Sequence, residues 1–167
     1  MAEEKLGIHI GCIIDYRIAH VGVGAVSIRR NLRSSPPVRG AFDAIARLAR
    51  ERFNGRVYVV SKARVHMQEI FDIWLHDHQF YPRTGVRQED IYLHPETVKK
   101  AGIYSHLAIT HLVAPRLDEL RSLADVPQQF LLGGRPVDKG RLRRALPNAQ
   151  QVASWEELTD LLLPLKG

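Results

Sequence analysis

The chain predicts an α/β fold: a three-layer, Rossmann-like arrangement with a parallel sheet and helices on both faces. Three observations predict it. Short apolar, β-branched runs alternate with stretches of helical period. The first run, Leu6-Gly7-Ile8-His9-Ile10-Gly11-Cys12-Ile13-Ile14, is almost continuous in apolar character, as a strand covered on both faces requires. Breaker pairs such as Asn54-Gly55 and Gly133-Gly134 separate the runs. A chain of 167 residues suits one domain, with a core over 5–133 and a strand–helix extension over 134–167.

The elements follow in order. Residues 5–14 form the first expected strand. Residues 15–38 are a long connection rich in Gly, Ser and Pro, expected as a small flap over the strand ends. A helix then runs from Gly40 to about Phe53, with Phe42, Ile45, Ala49 and Phe53 on one face, and Asn54-Gly55 stops it. Arg56 to Val60 is a second strand. Arg64 to His76 is helical, with Met67, Ile70, Phe71 and Trp74 inward. Strands at Ile91–Leu93, Thr110–Val113 and Gln129–Leu132 alternate with helices at Glu96–Leu107 and Arg116–Leu123. The tail adds a basic helix over Val137–Ala145, a strand over Gln150–Ala153 and a last helix. Ser154-Trp155-Glu156-Glu157 opens that helix as a capping box.

Composition bounds the partners. Hydrophobic residues at 45% and charged residues at 25% are ordinary for a globular protein. One cysteine, Cys12, excludes an internal disulfide and favours a reducing compartment. No apolar run approaches the roughly 20 residues that span a bilayer. The start, Met1-Ala2-Glu3-Glu4-Lys5, lacks the basic and apolar regions of a secretory leader. A cytoplasmic protein without membrane association is expected. The net charge of +6 is concentrated in arginine triplets: 29, 30 and 33; 47, 50 and 52; 141, 143 and 144. Such charge attracts nucleic acid or phosphorylated ligands, and equally describes solvated helix faces. No aromatics interleave with these arginines, so a stacking platform for single strands is unsupported.

Several pieces stand in a telling order: the Leu6–Ile14 run, Pro37-Val38-Arg39-Gly40-Ala41, Val57-Tyr58-Val59-Val60-Ser61-Lys62, Lys99-Lys100-Ala101, and Ile109 to Arg116. Together they resemble the haloacid dehalogenase (HAD)-like superfamily of phosphohydrolases, over residues 5–133. The resemblance implies a HAD-type fold with at most a minimal cap. It puts His9 in the place of the aspartate nucleophile and Gly11 in that of the acid/base. Ser61 takes the phosphoryl-binding place after the second strand. Lys100, with Lys99 as the alternative, takes that of the charge-neutralising lysine. Ala114 and Pro115 stand where the superfamily places the acids that hold magnesium. Asp15 offers a rival registration for the nucleophile, with Arg17 then at the acid/base place; Asp15 also reads as a turn residue.

The departures set the functional expectations. Magnesium prefers hard oxygen ligands, and Ala114 and Pro115 supply none from their side chains. Gly11 has no side chain to exchange a proton. The chain therefore reads as a divergent HAD-like protein lacking the catalytic aspartates, with no metal site and no cofactor. It is expected to act as a non-catalytic interaction or phospho-ligand-binding protein. The anion cradle would comprise Gly11, Ser61 and Lys100, and His9 and Asp15 are the candidates for any remaining catalysis. Two alternatives stand: a metal-independent enzyme acting on a small anionic or phosphorylated substrate, and a nucleic-acid-associated basic factor. The partners are a phosphorylated small molecule or a protein, and a homodimer through a helix face is compatible with this architecture. His76-Asp77-His78 lacks a third ligand and reads as solvated surface. His111 reads as a core histidine and Cys12 as a packed thiol. Gly22-Val23-Gly24 does not complete a dinucleotide fingerprint.

Overall fold

In the computed structural model, residues 3–15, 32–95 and 100–164 are described, the side chains of residues 100 and 101 excepted. Six strands form one all-parallel sheet: β1 (Leu6–Ile8), β2 (Val57–Lys62), β3 (Ile91–His94), β4 (His111–Ala114), β5 (Gln128–Leu132) and β6 (Ala149–Val152). Their spatial order is β3-β2-β1-β4-β5-β6. This is the doubly wound, Rossmann-like order, in which the chain reverses its direction of travel between β1 and β4. Ile8 of β1 lies level with Val59 on one side and Val113 on the other.

The helices are α1 (Ala41–Glu51), α2 (Val65–Asp77), α3 (Phe80–Thr84), α4 (Lys100–Leu107), α5 (Leu117–Arg121), α6 (Lys139–Ala145) and α7 (Trp155–Leu162). Strand alternation divides the buried apolar side chains into two layers. Leu6, Ile8, Val57, Val59, Val113 and Phe130 meet α1, α2, α3 and α7. Val60, Leu112, Ala114 and Leu131 meet α4, α5 and α6. The three-layer α/β architecture expected from the periodicities is the one observed.

The first strand is shorter than its apolar run. Extended structure ends at Ile8, and Ile10–Cys12 coil into a 3-10 turn. Ile10, Cys12, Ile13 and Ile14 stay buried, so the run's hydrophobicity is spent on packing beneath α1 and α7 rather than on sheet. The Trp155 indole donates to the Cys12 carbonyl at 2.8 Å and ties α7 to this turn. Ile14 then bridges Pro37 antiparallel. The expected flap over 15–38 falls largely on residues 16–31, outside the described residues, as do residues 96–99 at the start of the helix expected over Glu96–Leu107.

Local chemistry sets the other boundaries. Asn54 and Gly55 both take positive φ, and so do Gly133 and Gly134, where the chain leaves α1 and β5. Ser154 accepts from the Glu157 amide at 3.1 Å, while the Glu157 carboxylate reaches back to the Ala153 amide, one residue earlier than a standard capping box predicts. The short helix α3 is not expected from the sequence; Gly85, at φ 80°, closes it.

At the amino end of the sheet, Arg52 joins three parts of the chain. Its guanidinium donates to both Glu4 carboxylate oxygens, at 3.2 and 2.9 Å, and to the Leu162 carbonyl at 2.6 Å. His111 sits beside this knot, 1% exposed, edge-on to Phe53 and stacked on Phe130. Burial, and then the Arg52 charge, hold its pKa below the ordinary imidazole value, so it packs neutral. Its contribution to stability is therefore complete above about pH 6.5 and is lost on acidification, because the unfolded chain binds the proton more readily. Thermal melts between about pH 7 and 5 are expected to fall more steeply for the native chain than for His111→Gln. Parallel profiles for the two proteins would refute this.

Among the described residues, no helix is long and apolar enough to cross a membrane.

Candidate functional site

The carboxyl ends of β1 and β4 meet where the chain changes direction, the position at which open α/β sheets gather ligand-binding groups. β1 delivers His9 and β2 delivers Ser61. The helix after β4 delivers Arg116, its N-cap, and Glu119, in its first turn.

His9 is the pivot. Its amide donates to the Val113 carbonyl at 3.0 Å, which locks its backbone to β4. Its ring Nδ1 accepts the Gly11 amide proton at 2.9 Å. An imidazole nitrogen that accepts carries no proton in the neutral ring, so the proton lies on Nε2. Nε2 in turn faces the Glu119 carboxylate, 3.6 Å from Oε1. The same oxygen accepts from the Arg116 guanidinium at 3.2 Å. The His9 side chain is 8% exposed and that of Glu119 is 16% exposed, whereas Arg116 reaches solvent. A carboxylate thus stands between a cation on the surface and an imidazole beneath it.

Ser61 lies fully buried under the same turn. Its hydroxyl oxygen accepts the Ile10 amide proton at 2.7 Å. That amide begins the 3-10 turn and has no carbonyl of its own to pair with. The Ser61 hydroxyl therefore ends the β1 extension and fixes the direction in which His9 leaves the sheet. Ser61→Ala is expected to cost about 1–3 kcal/mol by stranding a buried N–H. Chemical denaturation measures it, and a loss below about 0.5 kcal/mol would show that the brace is dispensable.

Tyr104, on α4, completes the surroundings from the face of the sheet that α5 also covers. It is 3% exposed. Burial first, and then the negative charge of Glu119, push its phenol far above the ordinary tyrosine pKa, so it stays protonated.

The expected site residues are distributed unevenly. His9, Gly11 and Ser61 converge on the turn after β1. The Gly11 amide is engaged by the His9 ring, and the Ser61 oxygen by the Ile10 amide. Lys100 begins α4, but its side chain, like all of Lys99, lies outside the described residues. Asp15 lies past the turn, where its amide donates to the Pro36 carbonyl at 2.9 Å, next to the Ile14–Pro37 bridge. Ala114 is fully buried as the last residue of β4. Glu119, Arg116 and Tyr104 are site residues that sequence reasoning does not assign. One signal for Glu119 exists: an acidic residue in the first turn of the helix after the switch-point strand points back toward the end of β1.

Other titratable groups have structural roles. The His78 ring stacks on Trp74 with centroids 3.9 Å apart, and His76 lies 3.6 Å from Asp72. Cys12 is buried. Among the described residues, no three His, Cys, Asp or Glu side chains gather where they could hold one metal ion. Directly after β1 the chain coils as a 3-10 turn, and Gly22-Val23-Gly24 lies outside the described residues. Set against known proteins, the chain matches no family model and no curated protein.

Proposed function

We propose that this chain is a HAD-like protein without metal-dependent phosphatase activity, working by binding: an interaction or phospho-ligand-binding protein. One observation carries the reading. Both ring nitrogens of His9 are engaged by the chain itself, Nδ1 by the Gly11 amide and Nε2 toward Glu119. A nucleophile needs an available lone pair aimed at the phosphorus atom. An imidazole that accepts at one nitrogen and carries its proton at the other has none to offer. The Ser61 oxygen and the Gly11 amide, two of the groups that would hold a transferring phosphoryl group, likewise serve the turn.

The expected result is background phosphate release from p-nitrophenyl phosphate and a panel of phosphorylated metabolites, with or without magnesium. Thermal shifts with members of the same panel identify a bound phospho-ligand. Magnesium-dependent hydrolysis that disappears in His9→Ala would overturn the proposal. A second reading, a metal-independent enzyme, draws support from one contact. A carboxylate facing an imidazole is the arrangement that orients a general base. It requires the Gly11 amide to release Nδ1, and turnover without metal, lost in both His9→Ala and Glu119→Gln, distinguishes it.

A further inference from the structure

The positive charge of this chain is unevenly balanced. Arg47, Arg52 and Arg87 each face a carboxylate within 3.0 Å. Around α6 the pattern changes. Arg121, Arg135, Lys139, Arg141, Arg143 and Arg144 are all exposed, and none forms an ion pair among the described residues. The nearby acid, Asp138, is already used: its carboxylate caps α6 by accepting the Arg141 amide at 2.8 Å.

Two of these cations, Arg121 and Arg141, line a cleft of about 350 Å³ between α5 and α6. Leu117, Pro136, Val137, Leu142 and Ala145 supply its apolar lining and Arg121 and Arg141 its positive charge; Asp138 also lines it, with its carboxylate turned to the Arg141 amide. Leu117 and Arg121 are four residues apart and share one side of α5, while Glu119 turns toward His9. The cleft is therefore separate from the sheet-end site, and its role does not depend on whether that site hydrolyses anything.

We infer that this cleft docks an acidic, amphipathic peptide segment of a partner protein. The partner's apolar side chains pack on Leu117, Val137 and Ala145, and its carboxylates pair with Arg121 and Arg141. The apolar lining decides against a partner held by charge alone. The lining contains no aromatic ring, so nucleobases find no stacking surface there. The remaining cations of α6 extend the positive field beyond the cleft, which suits a partner carrying several charges along its length and speeds its approach. Rows of apolar contacts flanked by complementary charge are how grooves select amphipathic segments.

The test uses the full chain and a fluorescein-labelled peptide of repeating Glu-Glu-Leu-Leu, read by fluorescence anisotropy. Salt-sensitive binding in the micromolar range is expected. The paired change Arg121→Glu with Arg141→Glu is expected to weaken it by at least about tenfold. Ala145→Trp, which fills the cleft and leaves every charge in place, is expected to weaken it comparably. A peptide with Gln in place of Glu is expected to bind at least about tenfold more weakly. Each altered residue is exposed, and unchanged thermal melts establish that the variants are folded. The inference fails if the peptide does not bind, or if its binding ignores these substitutions. It fails equally if a single-stranded oligonucleotide of the same charge binds more tightly and is indifferent to Ala145→Trp, since the surface would then read phosphates.

Discussion

Trp155→Ala is expected to destabilise the protein by about 3–5 kcal/mol, a large share of the stability of an ordinary domain. Trp155 is 1% exposed, belongs to the core layer under α1, and holds the Cys12 carbonyl with its indole N–H. Truncation removes the apolar volume, opens a cavity and deletes the indole's buried hydrogen bond together. Trp155→Phe separates these contributions. It keeps most of the packing and loses the hydrogen bond, so a cost of about 1–2 kcal/mol is expected, apart from any penalty for the volume lost. Urea titration of both variants measures the two effects. If Trp155→Ala costs less than about 1 kcal/mol, α7 is a loosely docked appendage rather than part of the core. The result also bears on residues 134–167, which read from sequence as an extension. β6 pairs with β5 along its length, and Arg52 holds the Leu162 carbonyl, so the tail is bonded at both ends of α7.

Gly7→Val is expected to cost about 3 kcal/mol, at the upper end of the range for overpacking a core. Gly7 has an ordinary strand conformation, so the reason is space. A Cβ built there would stand 2.9 Å from Tyr104 Cε1 and 3.0 Å from Ile109 Cγ2. Both neighbours are buried and have little freedom to withdraw. The missing side chain lets α4 and the segment entering β4 approach the centre of the sheet, and with them the phenol behind the His9–Glu119 pair. Combining Gly7→Ala with Tyr104→Leu is expected to recover part of the loss, with a coupling of about 1 kcal/mol or more, because the second change removes the ring atom that the first collides with. Strict additivity in denaturation experiments would mean that the ring does not set the spacing.

How far the sequence can be read varies with the range of the forces involved. The helix ending at Asn54-Gly55 and the cap at Ser154 are legible because the groups that decide them lie within a few residues of each other. The end of β1 is not. Its apolar run continues to Ile14, and nothing local distinguishes a buried strand from a buried turn. The residue that ends the strand is Ser61, on the neighbouring strand, through its bond to the Ile10 amide. His9, Gly11 and Ser61 are recognisable as a group, but the hydrogen bonds that join them to the turn are not. Glu119 is hidden because no motif marks it. The contribution of Lys100 rests on a side chain outside the described residues.

By itself, then, the order of apolar and polar residues determined the α/β class and the alternation of its elements. Period and turn chemistry act over a few residues, and the same preferences hold wherever a segment finally packs. Tertiary structure alone decided which strand stands beside which, and so brought the end of β1 to the helix after β4. That placement faces His9 with Glu119 and separates both from the cleft between α5 and α6. The physical reason is that contacts between residues remote in the chain arise from burying both faces of the sheet at once, a condition no short stretch of sequence carries.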